Sequence, residues 1–405
     1  MFIIGYLLTI SVCITLICVM QFKLNNKILI CALLFGLFAF FIVPRPDSNV
    51  DALKYFQILN HLKTIPNQAI VEKWNYVNAT QLPVSQNSVS DTLSLNSTTV
   101  MGIIMMIVSM LPNSFLLALA AFCDYFFTFK MMGIILKRDH LSSYYFGYGF
   151  LVFSCLFVYS AAVGGIRNNL VGTIFGYFVL RYFAKNGSKF NWSDFMVVLI
   201  IALFLSLIHP FTLILLVLFV LTAVFSRLKI IRLFDVLVTG ESLFQPILIK
   251  FFSLFSAIPF FASIVSKSGQ YLGKNATIHI SSSANLLRDI MRLIVLLALF
   301  IIIQEAGRQF IIKGYSEFLI LLFCLLIGSV RDQLLFDRIL LVLLPIMSTY
   351  FILLLEVIDE FGLSKLTFKK FSIYSFFILM NCYALFCLVD NLRAGELYYQ
   401  FLLNF

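Results

Sequence analysis

Long apolar runs broken by short polar segments set the pattern of this chain. A helix crossing the bilayer hydrocarbon needs about 20 mostly apolar residues, with a range near 17–25. Runs of this kind occupy 2–20, 28–44, 115–136, 143–163, 168–184, 195–208, 211–225, 251–265, 287–303, 311–328, 334–356 and 371–389. They predict an all-α, polytopic integral membrane protein with about 12 transmembrane helices and a single transmembrane domain over 1–405. Several runs are short for a span, so tilted or broken helices are expected. Segment 98–112 fits an extra span, an interfacial helix or a re-entrant piece.

The polar breaks alternate in character. With the N-terminus outside, the inner breaks are 21–27 (Lys23, Lys27), 137–142 (Lys137, Arg138), 185–194 (Lys185, Lys189), 226–234 (Arg227, Lys229, Arg232), 304–310 (Arg308) and 357–370 (Lys365, Lys369, Lys370). Nearly all carry a basic excess, as the positive-inside rule requires. The outer breaks are 45–99, rich in Asn, Ser and Thr, then 164–167, the turn at His209-Pro210, 266–286, 329–333 and the C-terminus. Apolar residues follow Met1 at once, without a basic leader, so 2–20 reads as a retained first span.

Composition narrows the class. Of 405 residues, 61% are hydrophobic, 12% are charged and 46 are Phe. Soluble domains carry about 25% charged residues, and surface-to-volume scaling leaves a soluble fold no place for so much apolar side chain. A soluble enzyme, a disordered tail protein and a disulfide scaffold are excluded. The net charge of +10 follows from 29 Lys and Arg against 19 Asp and Glu. Loop orientation accounts for it, and no basic run with interleaved aromatics points to nucleic acid. The eight Cys lie in apolar runs with no C-x-x-C spacing, and the four His are scattered. Neither a metal site nor a cofactor is expected.

Ionisable groups at membrane depth cost about 2.5–3.5 kcal/mol on insertion scales, so each needs a reason. This topology puts the informative ones on the outer side. Asp47, Asp51 and Tyr55 follow the second span, and a helix beginning near Ser48 puts Asp51 and Tyr55 on one face at i and i+4. They suit a sugar or a partner Arg; the plainer alternative is a helix cap with surface charge. Gly164-Gly165-Ile166-Arg167-Asn168-Asn169 breaks one span and opens the next. Glycines admit close backbone approach, a helix start offers N–H groups, and Arg adds a forked donor for phosphate. The alternative is an interfacial Arg reaching headgroups.

His209-Pro210 interrupts an apolar stretch too long for one span. A histidine near its neutral–cation transition suits a general base for a sugar hydroxyl, or a hydrogen-bonded turn. Arg331 and Arg338 lie two helical turns apart, with Asp337-Arg338 sunk in the run 334–356. A phosphate ligand would neutralise them, as would an internal ion pair with Asp51 or Asp337. Lys267, Lys274, His279 and Arg288 surround the outer segment 266–286, a solvated loop or an attractor of anionic lipid or glycan. Walker, G-x-S-x-G, H-E-x-x-H and D-x-D patterns are absent, which disfavours nucleotide-dependent chemistry.

These residues resemble the EpsG-like and O-antigen polymerase (Wzy) group of bacterial polysaccharide polymerases. Asp51-x-x-x-Tyr55 follows the second span. Ile166-Arg167-Asn168-Asn169-Leu170 resembles the family's I-R-Q-x-L/F, with Asn168 where Gln is usual, and leads to a Lys189-Phe190 loop, an apolar span and His209-Pro210. Asp337-Arg338 leads a span containing Pro345. The likeness runs from about 45 to 350 on sparse motifs. It implies a glycosyltransferase of the GT-C type in the bacterial inner membrane, with its active site facing the periplasm. Such enzymes transfer a glycan from undecaprenyl pyrophosphate to the sugar of another lipid-linked repeat unit, without nucleotide or metal. Their partners are the lipid-linked oligosaccharide donor and acceptor, membrane lipid and, for chain-length control, a regulator protein. On this reading Arg167, Arg331 and Arg338 bind pyrophosphate, His209 takes the acceptor proton, and Asp51 and Tyr55 position a sugar. Asp47, Asn168 and Arg288 complete the expected substrate contacts. An O-antigen ligase and a transporter or flippase of a lipid-linked saccharide are the competing expectations.

Overall fold

A computed structural model of the chain describes residues 1–46, 48, 51–79, 81–82, 93–94, 99–157, 159, 163, 165–187, 189–225, 283–307, 312–329, 333–361 and 368–401. The inner break 226–234, the expected span 251–265, the outer segment up to 282, and Asp47 and Arg331 lie outside the described residues.

Helix dominates, as the apolar runs dictate. In chain order the helices are α1 Phe2–Cys18, α2 Leu24–Phe40, α3 Asp51–Thr64, α4 Ile70–Ala79, α5 Thr99–Val108, α6 Ser114–Arg138, α7 Ser143–Leu156, α8 Ile166–Asn186, α9 Trp192–Ser206, α10 Phe211–Phe225, α11 Ser283–Ala306, α12 Lys313–Gly328, α13 Gln333–Phe361 and α14 Phe368–Tyr398. Four short strands join them: β1 Ile42–Pro44, β2 Gln81–Leu82, β3 Leu93–Ser94 and β4 Tyr399–Phe401.

Three helices among the described residues are long and apolar enough to cross a membrane: Ser114–Arg138, Phe336–Glu360 and Lys369–Tyr398. Shorter apolar helices are α1, α2, α9 and α10. The chain is thus all-α with membrane-spanning capacity. Ten-residue α5 reaches only about 15 Å at 1.5 Å per residue, half the hydrocarbon thickness, so it is no span by itself. Segment 45–99, expected to be polar and without spans, holds α3 and α4, which pack on each other and on α5 through buried Ile58, Leu59, Val77 and Met105.

Local chemistry sets the boundaries. Gly187 closes α8 at φ +58, donating to the Phe183 carbonyl at 2.7 Å, a left-handed position that favours glycine. Asn191 caps α9, its Oδ1 accepting the Asp194 N–H at 3.2 Å. The break between α9 and α10 falls at His209-Pro210, as the sequence requires.

The chain divides into two compact units. The first is Met1–Tyr177, Leu207–His209 and Leu344–Phe405; the second is Phe178–Ser206 and Pro210–Leu343. In the first, α2 packs on α6, and α1 packs on α2, α7 and α14. Gly36 lets α2 approach closely, since a Cβ there would stand 3.1 Å from the Ala118 carbonyl and the Phe122 Cβ. The core is aromatic. Phe35 and Tyr125 stack at 3.7 Å, Tyr6 donates to the Ser154 carbonyl at 2.8 Å, and Tyr159 donates to the Phe35 carbonyl at 3.1 Å.

Contacts at the two ends of this unit sort its loops. At one end the Met1 ammonium meets Glu396 at 2.8 Å, and β1 pairs antiparallel with β4, Pro44 opposite Tyr399. The Val100 N–H reaches the Leu207 carbonyl at 3.2 Å. At the other end Lys27 donates to the Ile17 carbonyl at 2.6 Å and to Ser143 at 3.1 Å, and Tyr145 donates to Asp359 at 2.6 Å.

In the second unit α10 packs on α9 and α12, with Phe219 against Tyr182 at 5.2 Å and Phe195 at 5.5 Å. Gly314 accommodates the Phe183 ring, which a Cβ would strike.

Candidate functional site

The expected site residues fall into two groups, one in each unit. In the first unit, α8 starts at Ile166, and the Gly165 carbonyl accepts the N–H groups of Asn168 at 3.1 Å and Asn169 at 3.3 Å. The helix start is therefore partly closed on itself, and the Asn168 amide is not an open donor. Asn168 and Asn169 are buried, at 7% and 1% exposure.

Arg167 stands between these asparagines and the chain break. Its guanidinium carbon lies 5.8 Å from the centroid of the Tyr55 ring. Tyr55 is buried, one turn into α3. A guanidinium within about 6 Å of a ring is attracted by the ring quadrupole, by about 0.5–2 kcal/mol. Two motifs that the sequence singled out separately therefore meet. The described helix that carries Tyr55 spans Asp51–Thr64, with Asp51 and Tyr55 at i and i+4. His209 is half-buried at the turn between α9 and α10.

Sequence reasoning missed a residue nearby. Asp124 lies mid-way along α6, 1% exposed. Its Oδ1 is 3.4 Å from the Thr173 hydroxyl, and its Oδ2 has no hydrogen-bond partner among the described residues. The Thr173 hydroxyl also contacts the Asn169 carbonyl at 2.7 Å. Its single proton serves only one of these acceptors at a time. The expectation that every informative ionisable group stands on the outer side is corrected by this carboxyl inside the run 115–136. The signal was present as a lone Asp in an apolar segment, which by itself marks a functional candidate.

The second unit holds the other group. Arg288, expected at the edge of a solvated loop, sits in α11, its Nε 3.5 Å from Asp289 Oδ1. Arg292, one turn on, is paired with the same oxygen through Nη1 at 2.9 Å. Asp289 and Arg292 are buried, at 6% and 3% exposure. On α13, Asp337 lies within the electrostatic reach of Asp289, Arg288 and Arg292, and Arg338 follows it, half-buried. Asp289 and Arg292 were missed by the sequence reading, although their i, i+3 spacing at the head of an apolar run is visible there. Buried ion pairs are weak stabilisers and often mark a specific role.

Chemically, the first group offers a cation held against an aromatic face. The second brings Arg288 and Arg292 onto Asp289, with Asp337 within electrostatic reach of both arginines. Both compositions suit an anionic ligand. No protein-family model, no curated protein and no solved structure matches this chain.

Proposed function

We propose that the chain is a surface-polysaccharide (O-antigen) polymerase of the bacterial inner membrane, of the GT-C type with about twelve spans. It would join undecaprenyl-pyrophosphate-linked repeat units at the periplasmic face. The observation that carries this reading is the packing of Arg167 on Tyr55 at 5.8 Å, which unites two of the three motifs on which the resemblance rests. Breaking the donor's glycosidic bond places charge on a pyrophosphate leaving group. Arg167 would hold that charge as it develops. His209 would accept the proton of the attacking hydroxyl, while Asp51 and Tyr55 orient a sugar. The chemistry requires neither nucleotide nor metal. Purified protein given a lipid-linked repeat unit should build glycan ladders. Absence of ladders with that donor, but transfer to lipid A core, would make the chain a ligase instead.

A second reading, transport of a lipid-linked saccharide, is favoured by Asp124. A buried carboxylate with an unpartnered oxygen is costly, and a transported or coupling cation, or a proton, relieves that cost. Flux of an unaltered labelled lipid-linked sugar across proteoliposomes would support it.

A further inference from the structure

Arginine presents two hydrogen-bonding edges. The side-on edge, formed by Nε and Nη2, points two N–H groups in parallel and matches the two oxygens of a carboxylate or phosphate. Arg138 shows this use within the same molecule, its Nε reaching Asp139 Oδ1 at 2.5 Å and its Nη2 reaching Oδ2 at 2.6 Å.

Arg292 holds the opposite arrangement. Its Nη1 is engaged by Asp289, which fixes the plane of the guanidinium. Its Nε and Nη2 have no hydrogen-bond partner among the described residues, although the side chain is only 4% exposed. Leaving two charged donors unpaired in a buried place is costly, so the arrangement calls for an occupant. Two open N–H donors of a cation call for an anion. Arg288 stands one turn before, against the same Asp289, and Asp337 lies within electrostatic reach of both arginines. Asp289 cannot fill the second edge while its Oδ1 holds the first.

We propose that the open Nε–Nη2 edge of Arg292, with Arg288 beside it, is a binding site for a phosphate-class anion. Asp289 acts as the positioning residue that orients the guanidinium. This deepens the polymerase reading, on which it rests for the choice of ligand, by assigning the residue that grips the pyrophosphate of the lipid donor. A phosphate edge gives geometry as well as charge, so lysine at this position keeps the charge and loses the fork.

The test is calorimetric titration of the full-length protein with inorganic pyrophosphate, in nanodiscs of phosphatidylcholine and again in discs containing phosphatidylglycerol. Wild type should bind saturably. Arg292→Lys should weaken binding roughly tenfold or more, the loss of a charge-assisted fork. The double variant Asp289→Asn/Arg292→Gln leaves no uncompensated charge and so should fold; it should not bind. Competition by phosphatidylglycerol in wild type alone would identify a lipid headgroup as the natural source; unchanged affinity would identify a ligand phosphate. No saturable binding in either disc, or equal binding by wild type and the double variant, would overturn the assignment. Polymerisation is scored separately: pyrophosphate binding without ladders defeats the polymerase reading alone, and ladders without binding defeat this one alone.

Discussion

The guanidinium of Arg167 rests 5.8 Å from the centre of the Tyr55 ring. One residue comes from the first turn of α8 and the other from α3, so the contact ties the segment after the second span to a helix start far along the chain. The ring side of this contact is separable from the hydroxyl. Tyr55→Phe keeps the π face, and Tyr55→Leu removes it. If the face holds Arg167 in place, ladder formation should be near wild type in Tyr55→Phe. In Tyr55→Leu it should fall about 2- to 30-fold, the equivalent of about 0.5–2 kcal/mol. Equal activity of wild type and Tyr55→Leu would show that the contact has no part in the chemistry.

Asp124 separates the two functional readings. Asn is nearly isosteric and carries no charge, so Asp124→Asn removes an unpartnered oxyanion from a buried place. Thermal unfolding in detergent should be unchanged or shifted upward. A large downward shift would mean that the carboxylate has a partner. In a polymerase this variant should still build ladders; in a transporter coupled through Asp124 it should stop flux.

Two glycines make a contrasting pair. A Cβ on Gly314 would strike the ring of buried Phe183, so Gly314→Ala should destabilise by about 1–3 kcal/mol through overpacking. Adding Phe183→Leu should restore part of that loss. Gly187 has nothing within 4 Å of its would-be Cβ but sits at φ +58. Gly187→Ala should therefore cost about 1 kcal/mol from backbone strain alone, with no rescue from any neighbour. Denaturant melts of the two single variants, each with and without Phe183→Leu, check this, and rescue of Gly187→Ala by Phe183→Leu would contradict it.

Asp194 supplies a pH dependence. Hydrogen bonds from Lys185 at 2.9 Å and Asn186 at 3.0 Å hold its carboxyl below the usual aspartate range. Its contribution to stability is present above the unfolded value near 4 and fades as pH falls through the lower folded value. Unfolding temperatures of wild type and Asp194→Asn should differ above about pH 4 and converge in more acid solution. A constant gap across pH would assign the effect to packing.

Much of the helical framework was legible in the sequence. The runs 115–136 and 211–225 correspond to α6 and α10 almost residue for residue, because a continuous apolar run leaves the backbone no partner but itself. His209-Pro210 marks its break because proline has no N–H to give. The pairing of β1 with β4 was not legible, since Pro44 and Tyr399 are brought opposite each other only by the packing of α1, α2 and α14. The site divides in the same way. Arg167 and Tyr55 could be named because each sits beside a chain break. Arg292 and Asp289 lie inside an apolar helix, and the open edge of Arg292 exists only once Asp289 has taken the other. Asp124 was visible as a lone carboxyl, but the want of a partner for its Oδ2 is a property of packing.

The central claim is that the chain forms glycosidic bonds and releases lipid pyrophosphate. The most direct measurement supplies sealed proteoliposomes with a doubly labelled undecaprenyl-pyrophosphate repeat unit, one label on the sugar and one on the lipid. Polymerisation predicts longer glycans on the remaining lipid and one undecaprenyl pyrophosphate freed for each bond made, both lost in Arg167→Ala. Recovery of both labels on an intact, single-unit lipid that has only changed leaflet would contradict it.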